Sequence, residues 1–111
     1  MDQNKGNQQI PSPPCGAGCH MKNTPRSAAV SRQLQNRLNR VIGQLNGIKK
    51  MLDDGRYCGD ILIQVAASEK ALENFGQILL KDHMETCVVE EIRKGNVQIV
   101  DEAIDLIQRL K

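Results

Sequence analysis

Apolar residues recur at intervals of three and four between residues 30 and 52, which is the period of one face of an α-helix. They are Val30, Leu34, Leu38, Val41, Leu45, Ile48 and Leu52. Polar residues fill the opposite face, so the pattern predicts an amphipathic first helix that begins near residues 27–31 and ends near Asp53. Gly43 and Gly47, four apart within it, predict a place where another helix packs closely against this one.

A second, longer stretch keeps the same period from Cys58 onward. Steps of four, three or seven residues lead from Cys58 along a single stripe to Leu62, Val65, Leu72, Leu79, His83 and Cys87. The stretch predicts a helix from about residues 58–60 to Lys94, where Gly95 and Asn96 stop it. Helices of this length that carry an apolar seam usually pair with a partner helix, and we expect the same here.

A third, short helix is predicted to follow, from residue 97 to residue 110. Its expected buried stripe is Val97, Val100, Ile104 and Ile107. With one Phe, one Tyr and no Trp, the core must be aliphatic, which favours an all-α fold, a three-helix protomer with a long second helix. We expect residues 27–111 to form this domain, and residues 1–26, rich in Pro and Gly without a period, to be a disordered tail.

The composition indicates the cellular compartment in which we expect the protein to function. No apolar run approaches the roughly 20 residues that span a bilayer, and the N-terminus is polar, so we expect a cytoplasmic protein with no membrane partner. Four cysteines in that compartment indicate metal or thiol chemistry rather than a disulfide framework.

The net charge of +2 is unevenly distributed. Residues 1–56 carry nine Lys or Arg and three Asp or Glu, whereas residues 57–111 carry six and ten. Six basic residues and no acidic one lie between Arg26 and Lys50. A basic helix on an otherwise acidic domain favours a polyanionic partner over a merely solvated helix face.

Cys58, His83 and Cys87 are the candidate metal ligands of the long helix. His83 and Cys87 are four apart, so they project from adjacent turns of one face and can share one ion. Cys58 lies 25 residues before His83, which is about 37 Å along a continuous helix. One chain cannot close all three around an ion, but two antiparallel copies bring Cys58 of one to His83 and Cys87 of the other, twice. The spacing therefore predicts a metal site built across a dimer.

The chemistry of these candidate ligands limits which metal ion they are expected to bind. Two thiolates and one imidazole form a soft set that favours Cu(I) with three ligands, while Zn²⁺ is the main competitor and prefers a fourth. A second cluster, Cys15, Cys19 and His20, lies in the predicted tail. It is a candidate accessory metal site, and the alternative interpretation is a reduced, unstructured tail.

Four short segments closely resemble the CsoR/RcnR family of bacterial metal- and stress-sensing repressors, and in particular its copper-sensing branch. They are RLNRVIGQLNGI at 37–48, RYC at 56–58, DH at 82–83 and CV at 87–88. The resemblance covers about residues 30–110. The chain departs from it at Ile42 and Asn46, where family members usually have Glu and Arg, which removes one basic residue from the first helix.

The resemblance implies an antiparallel dimer formed through the long helix as a four-helix bundle, and pairing of dimers into tetramers. It implies that Cys58 ligates Cu(I) from one chain and His83 and Cys87 from the other, with Tyr57 and Glu102 as surrounding groups that orient the ligands. It also implies that the metal-free protein binds operator DNA through the first helix and that Cu(I) weakens this binding. The residues that this indicates for DNA are Arg32, Arg37, Arg40, Gln44, Lys49 and Lys50.

The leading hypothesis is therefore a copper(I)-responsive transcriptional repressor with no catalytic activity. A persulfide or thiol-stress sensor on the same scaffold is the first alternative, with Cys58 and Cys87 bridged through sulfur; His83 argues against it, because a thiol switch needs no imidazole. A cytosolic copper-buffering protein is the second, and it predicts metal binding without DNA binding. The sequence contains no evident nucleophile–base pair or phosphate-binding glycine loop, so an enzyme is not expected.

Overall fold

Helices account for nearly all of residues 25–110, the part of the chain that the computed structural model describes. Five helical segments follow one another in the order α1 (Ala28–Asp53), α2 (Cys58–His83), a π-helical turn (Met84–Val88), α3 (Val89–Arg93) and α4 (Ile99–Arg109). The π turn and α3 continue α2 with helical backbone angles at each junction, so the predicted long second helix runs to Arg93. The described residues contain no strand, which confirms the all-α, three-helix prediction.

The N-terminal part of the chain bears on two of the predictions. Residues 1–24 lie outside the described part, and with them most of the predicted tail and its cluster of Cys15, Cys19 and His20. The described helices include none with both the length and the apolar character that a bilayer crossing requires.

Local sequence explains where α1 begins and ends. Ser27 caps its N-terminus, because its side-chain oxygen accepts a hydrogen bond from the Val30 amide at 3.1 Å. The helix ends in a turn at Asp54 and Gly55, and Gly55 has a φ of 68°, a left-handed conformation that glycine adopts without a steric penalty. The short connection that follows turns the chain back, so that α2 packs against α1.

The single chain encloses only a small core. The buried apolar residues of the described part are Leu34, Val41, Val88 and Ala103. Thirteen large hydrophobic residues of the described part remain exposed, distributed over α1, α2, α3 and α4 as well as the connections. An apolar surface of this extent on a small helical chain is typical of an interaction surface.

The structure corrects the predicted burial of the last helix. Val97, Val100, Ile104 and Ile107 are exposed, with Val97 at 67 % and Ile104 at 49 %. The inner face of α4 is instead a second stripe: Ile99, Ala103, Leu106 and Leu110, of which Ala103 is buried and the others half-buried. Leu110 packs onto α2 at Gly76, where an added Cβ would lie 3.2 Å from its Cδ2 atom. Helix α4 therefore folds back along α2 and leaves its other apolar stripe open.

Gly43 and Gly47 have no described helix of the same chain packed against them. A Cβ at either position would meet no atom within 4 Å, and both residues are exposed. No other helix of the described chain approaches them, so close packing within the chain does not explain them. Each glycine in a helix interior costs about 1 kcal/mol relative to Ala. Helix α1 is therefore less stable than the same helix would be with alanine at both positions.

Two glycine substitutions should therefore shift stability in opposite directions. Gly43→Ala adds a methyl group in open space on a helix, and we expect it to raise the free energy of unfolding by about 0.5–1 kcal/mol. Gly55→Ala places a side chain at positive φ, and we expect a loss of about 1–2 kcal/mol. Urea unfolding followed by circular dichroism measures both, and equal effects of the two variants would contradict the backbone assignment.

Candidate metal centre

The three candidate ligands lie at the two ends of one unbroken helix. Cys58 is the first residue of α2 and is exposed, whereas His83 is its last residue and is half-buried. Cys87 follows in the π turn, also half-buried, and both cysteines carry reduced thiols. The helix passes through Gly76 without interruption, so Cys58 and His83 stand about 37 Å apart at 1.5 Å per residue. Accordingly, the described residues of a single chain bring no three metal-ligating side chains together.

The stripe that joins the two ends of α2 is open to solvent at two of its apolar residues. Leu62 is 64 % exposed and Leu72 is 51 % exposed, whereas Val65 and Leu79 are half-buried. Ile63 beside them is 65 % exposed. The seam is therefore a surface of the protomer rather than part of its core, and the candidate ligands lie at its ends.

His83 and Cys87 form the part of the site that one chain builds by itself. The Nε2 atom of His83 is buried and has no hydrogen-bond partner among the described residues. A buried polar atom that stays unpaired costs about 1–3 kcal/mol, so a ligand at this nitrogen would remove a standing penalty. Four residues on, within the next turn, Cys87 supplies a thiol. An imidazole nitrogen and a thiolate on adjacent turns fit a soft metal ion as two of its ligands.

The π turn, which the sequence pattern did not predict, begins directly after His83 and contains Cys87. Such turns close their hydrogen bonds over five residues instead of four, and they are frequent at functional sites. Thr86 reinforces the turn, because its Oγ1 donates a hydrogen bond to the Asp82 carbonyl oxygen at 2.7 Å. The same Oγ1 atom lies 3.7 Å from the Sγ atom of Cys87. Thr86 thus ties the residue before His83 to the second ligand.

Asp82, the residue before His83, is a buried carboxylate. It is 8 % exposed, and its Oδ2 atom lies 3.3 Å from the Nε atom of Arg26. This contact is an ion pair between a partly exposed guanidinium and a buried carboxylate. Arg26 directly precedes the cap of α1, so this pair joins the start of α1 to the end of α2.

The two predicted surrounding residues lie at opposite ends of the molecule. Tyr57 precedes Cys58 and is 75 % exposed, and its ring lies across Gly59, where a Cβ would be 2.6 Å from the Tyr57 Cε2 atom. Glu102 lies in the first turn of α4 and is half-buried. Helix α4 contacts the π turn, so Glu102 lies on the element that packs against Cys87.

Most of the basic residues of α1 are exposed, and Arg37 is half-buried. Three of the predicted DNA contacts, Arg32, Arg37 and Arg40, line an open groove together with Ala29, Gln33 and Asn36. Lys49 and Lys50 are exposed near the other end of the helix, and Lys50 also pairs with Asp54 at 3.5 Å. Gln44 differs from the rest, because its Oε1 atom is buried without a hydrogen-bond partner. Its amide is turned toward the protein rather than toward the groove.

Sequence reasoning did not find Thr86, Asp82 or Arg26 as parts of this region. For Thr86 a signal existed, since a threonine four residues after Asp82 in a helix can bond back to its carbonyl. For Arg26 and Asp82 none existed, because a contact between residues so far apart in the chain has no periodic signature.

Comparison with known proteins adds independent evidence. A family model described as metal-sensitive transcriptional repressor matches residues 31–109. The copper-sensing transcriptional repressor CsoR of Bacillus subtilis is 38 % identical over 85 residues, 76 % of this chain and 84 % of that protein. A structure of the copper-sensing repressor CsoR with Cu(I) from Geobacillus thermodenitrificans superposes with a TM-score of 0.73 at 38 % identity, covering 81 % of this chain and 95 % of that one. The nickel-responsive transcriptional regulator InrS gives a TM-score of 0.62 at 33 % identity, covering 80 % and 98 %.

The hydrogen bond of Thr86 can be tested in the metal-free protein. Thr86→Val keeps the shape but leaves the Asp82 carbonyl without this donor, and we expect a loss of about 1 kcal/mol in the free energy of unfolding. Thr86→Ser keeps the hydroxyl and serves as the matched control. Chemical unfolding measures both variants, and a Thr86→Val protein as stable as Thr86→Ser would show that the hydrogen bond contributes nothing.

Proposed function

Since this chain belongs to the family of metal-sensitive transcriptional repressors, we propose that it represses transcription by binding operator DNA when metal-free and that Cu(I) releases it. The observation that carries this proposal is the half-site of His83 and Cys87, with a buried imidazole nitrogen that lacks a partner, separated by the whole of α2 from the third ligand, Cys58. The family is one of transcriptional repressors and not a class of enzymes.

The ligand set supports copper over the other metals of the family. Cys58 and Cys87 supply thiolates and His83 an imidazole, and this soft set suits Cu(I) with three ligands. Zn²⁺ prefers a fourth ligand and is expected only as a non-cognate occupant. Two relatives named for copper sensing, at 38 % identity each, support the same metal. The persulfide-sensing alternative gives no role to the unpaired Nε2 atom of His83.

The length of α2 requires two chains for one site. An antiparallel pair that sets Cys58 of one protomer beside His83 and Cys87 of its partner has its two-fold axis near Leu72, midway between the ligands. Leu72 is 51 % exposed in the single chain, as the centre of such an interface should be before a partner covers it. Leu62 and Ile63 continue the same open seam toward Cys58. One dimer then holds two equivalent sites.

The proposed dimer leaves a second apolar surface exposed, and we propose that dimers pair into tetramers through it. The open stripe of α4, from Val97 to Ile107, lies on the side away from α2. Exposed apolar stripes on small helical proteins usually become interfaces, and a dimer formed through α2 carries two of these stripes. We assign them to the contact between dimers.

The DNA interface that we propose is the exposed face of α1. Its residues are Arg32, Arg37, Arg40, Lys49 and Lys50, and we include Gln44 beside them, although it is half-buried with its amide toward the protein. Within the described residues, no ion pair occupies Arg32, Arg37 or Arg40, so their charges are available to phosphates. Gly43 and Gly47 leave the helix surface bare between Arg40 and Lys50, which permits close approach of a DNA backbone. Contacts of this kind make binding fall steeply with salt concentration.

Metal control then follows from differential affinity. Cys58 of one protomer would hold Cu(I) together with His83 and Cys87 of its partner, and the ion would supply ligand bonds that link the two protomers. Cys58 would then no longer be exposed and the Nε2 atom of His83 would have a partner, so the arrangement of α2 and of the helices packed on it would change. A ligand that favours one arrangement shifts the population toward it, and DNA must in turn weaken copper binding by the same factor. Tyr57 and Glu102 are proposed to orient the ligands from either end.

The function is tested by titrating Cu(I) into the complex of the protein with duplex DNA from upstream of its own gene. We expect the affinity for DNA to fall by about 5- to 150-fold, the usual range of allosteric coupling. Cys58→Ala, His83→Ala and Cys87→Ala should bind DNA without responding to Cu(I). A Cys15→Ala/Cys19→Ala variant keeps all three ligands and should respond normally, which also decides whether the tail cluster is more than accessory. DNA that stays bound at full copper occupancy would refute the proposal.

The intersubunit site is tested by mixing two defective chains. A homodimer of Cys58→Ala contains no complete site, and neither does a homodimer of His83→Ala/Cys87→Ala. We therefore expect neither protein to bind Cu(I) in competition with a chelator. A mixed dimer pairs the intact Cys58 of the second variant with the intact His83 and Cys87 of the first. It should recover one of the two sites, and each single variant refolded with itself is the control. If mixing restores no binding, the ligands do not come from different chains.

A further inference from the structure

One ion pair of the described chain joins distant parts of the fold. The Nε atom of Arg26 lies 3.3 Å from the Oδ2 atom of Asp82, while the other ion pairs between described residues all link residues three or four apart on one helix or its end. The Asp82 side chain is only 9 % exposed and that of Arg26 is 38 % exposed. Exposed pairs contribute little, whereas a buried carboxylate is strongly dependent on its partner.

This ion pair lies between the candidate metal centre and the basic face of α1. Arg26 is followed by Ser27, which caps α1 through its hydrogen bond to the Val30 amide. The first basic residue of the α1 face, Arg32, lies within the next two turns. On the other side, Asp82 is covalently joined to His83, and its carbonyl oxygen accepts the hydrogen bond of Thr86 beside Cys87. The pair therefore has a metal ligand on one side and the start of the basic helix on the other.

We infer that the Arg26–Asp82 ion pair is the link through which the state of the His83 and Cys87 half-site reaches α1. In the metal-free form, the pair holds the start of α1 against the end of α2 and so stabilises the arrangement that binds DNA. A change in the side-chain direction of His83 acts on the adjacent Asp82, and the π turn provides the backbone freedom for it. Arg26 and Asp82 are thus positioning residues, and the inference rests on the proposed function.

Two other roles for these residues make different predictions. If Arg26 only contacted phosphates, Asp82→Asn would leave DNA binding unchanged or strengthen it, because it removes a negative charge. If the pair only stabilised the fold, both variants would unfold more easily but would respond to copper as the wild type does. A coupling role requires that Asp82→Asn weaken DNA binding although it makes the protein more positive.

The experiment is a double-mutant cycle on the full chain with Arg26→Gln, Asp82→Asn and the double variant. Fluorescence anisotropy gives the affinity for duplex DNA from upstream of its gene, with and without saturating Cu(I). We expect each single variant to lower the metal-free affinity by about 3- to 10-fold and the double variant to lower it no further, because partners in one interaction are not additive. The copper-dependent change in affinity should shrink by the same factor. Arg26→Lys, which keeps the charge, should recover part of the loss.

A control variant and a second readout complete the test. Arg109→Gln removes one positive charge and one exposed ion pair, with Asp105 at 2.8 Å within α4, and it should leave the copper response intact. Amide hydrogen exchange without DNA should be faster at the start of α1 in Asp82→Asn, and Cu(I) should no longer alter it there. This readout stands even if a variant binds DNA too weakly to measure.

The outcomes separate this inference from the proposed function. If the wild type keeps its DNA affinity when loaded with Cu(I), the proposed function is wrong. If the wild type releases DNA but Asp82→Asn binds it as tightly as the wild type, or the single effects add in the double variant, the inference about the pair is wrong and the proposed function stands.

Discussion

The rigidity of α2 is the constraint on which the rest of this structure depends. A helix that runs unbroken from Cys58 to His83 holds its ends about 37 Å apart. Gly76 does not interrupt it, and Leu110, which follows α4, packs there. The candidate ligands can meet only if a second helix runs the other way. The proposed pairing would also account for the exposed Leu62 and Leu72 and for the small core of the single chain.

The two ends of α2 differ in how many contacts a single chain provides around the candidate ligands. At the first end Cys58 is exposed, and no side chain caps the helix. At the other end, His83 is held between a buried carboxylate and a π turn, and Thr86 and α4 pack beside Cys87. Cys58 therefore has few contacts within its own chain, whereas His83 and Cys87 lie in a region whose contacts lead to both α1 and α4.

The sequence was sufficient for the helices, because apolar residues spaced by three and four and the stop at Gly95 and Asn96 are local signals. It also placed Cys58, His83 and Cys87 on one helix and excluded a site within one chain by length alone. It did not reveal the π turn, since a spacing of four fits an α-helix and a π turn equally well. It chose the wrong face of α4, because that helix carries two apolar stripes and only packing decides between them. The Arg26–Asp82 contact depends on how α1 lies on α2, which no pattern along the chain encodes.

The arrangement of charge shows why a basic helix can remain available on an acidic domain. The acidic residues of the second half would attract the arginines of α1 if their own helices offered no partners. Instead, Lys81 pairs with Glu85, Lys94 with Glu90 and Glu91, and Arg109 with Asp105, each within one helical turn. Such pairs add little stability individually, but they keep acidic groups occupied locally. Of the basic residues from Arg26 to Arg40, only Arg26 forms an ion pair across to α2 within the described part of the chain, while Arg32, Arg37 and Arg40 form none there.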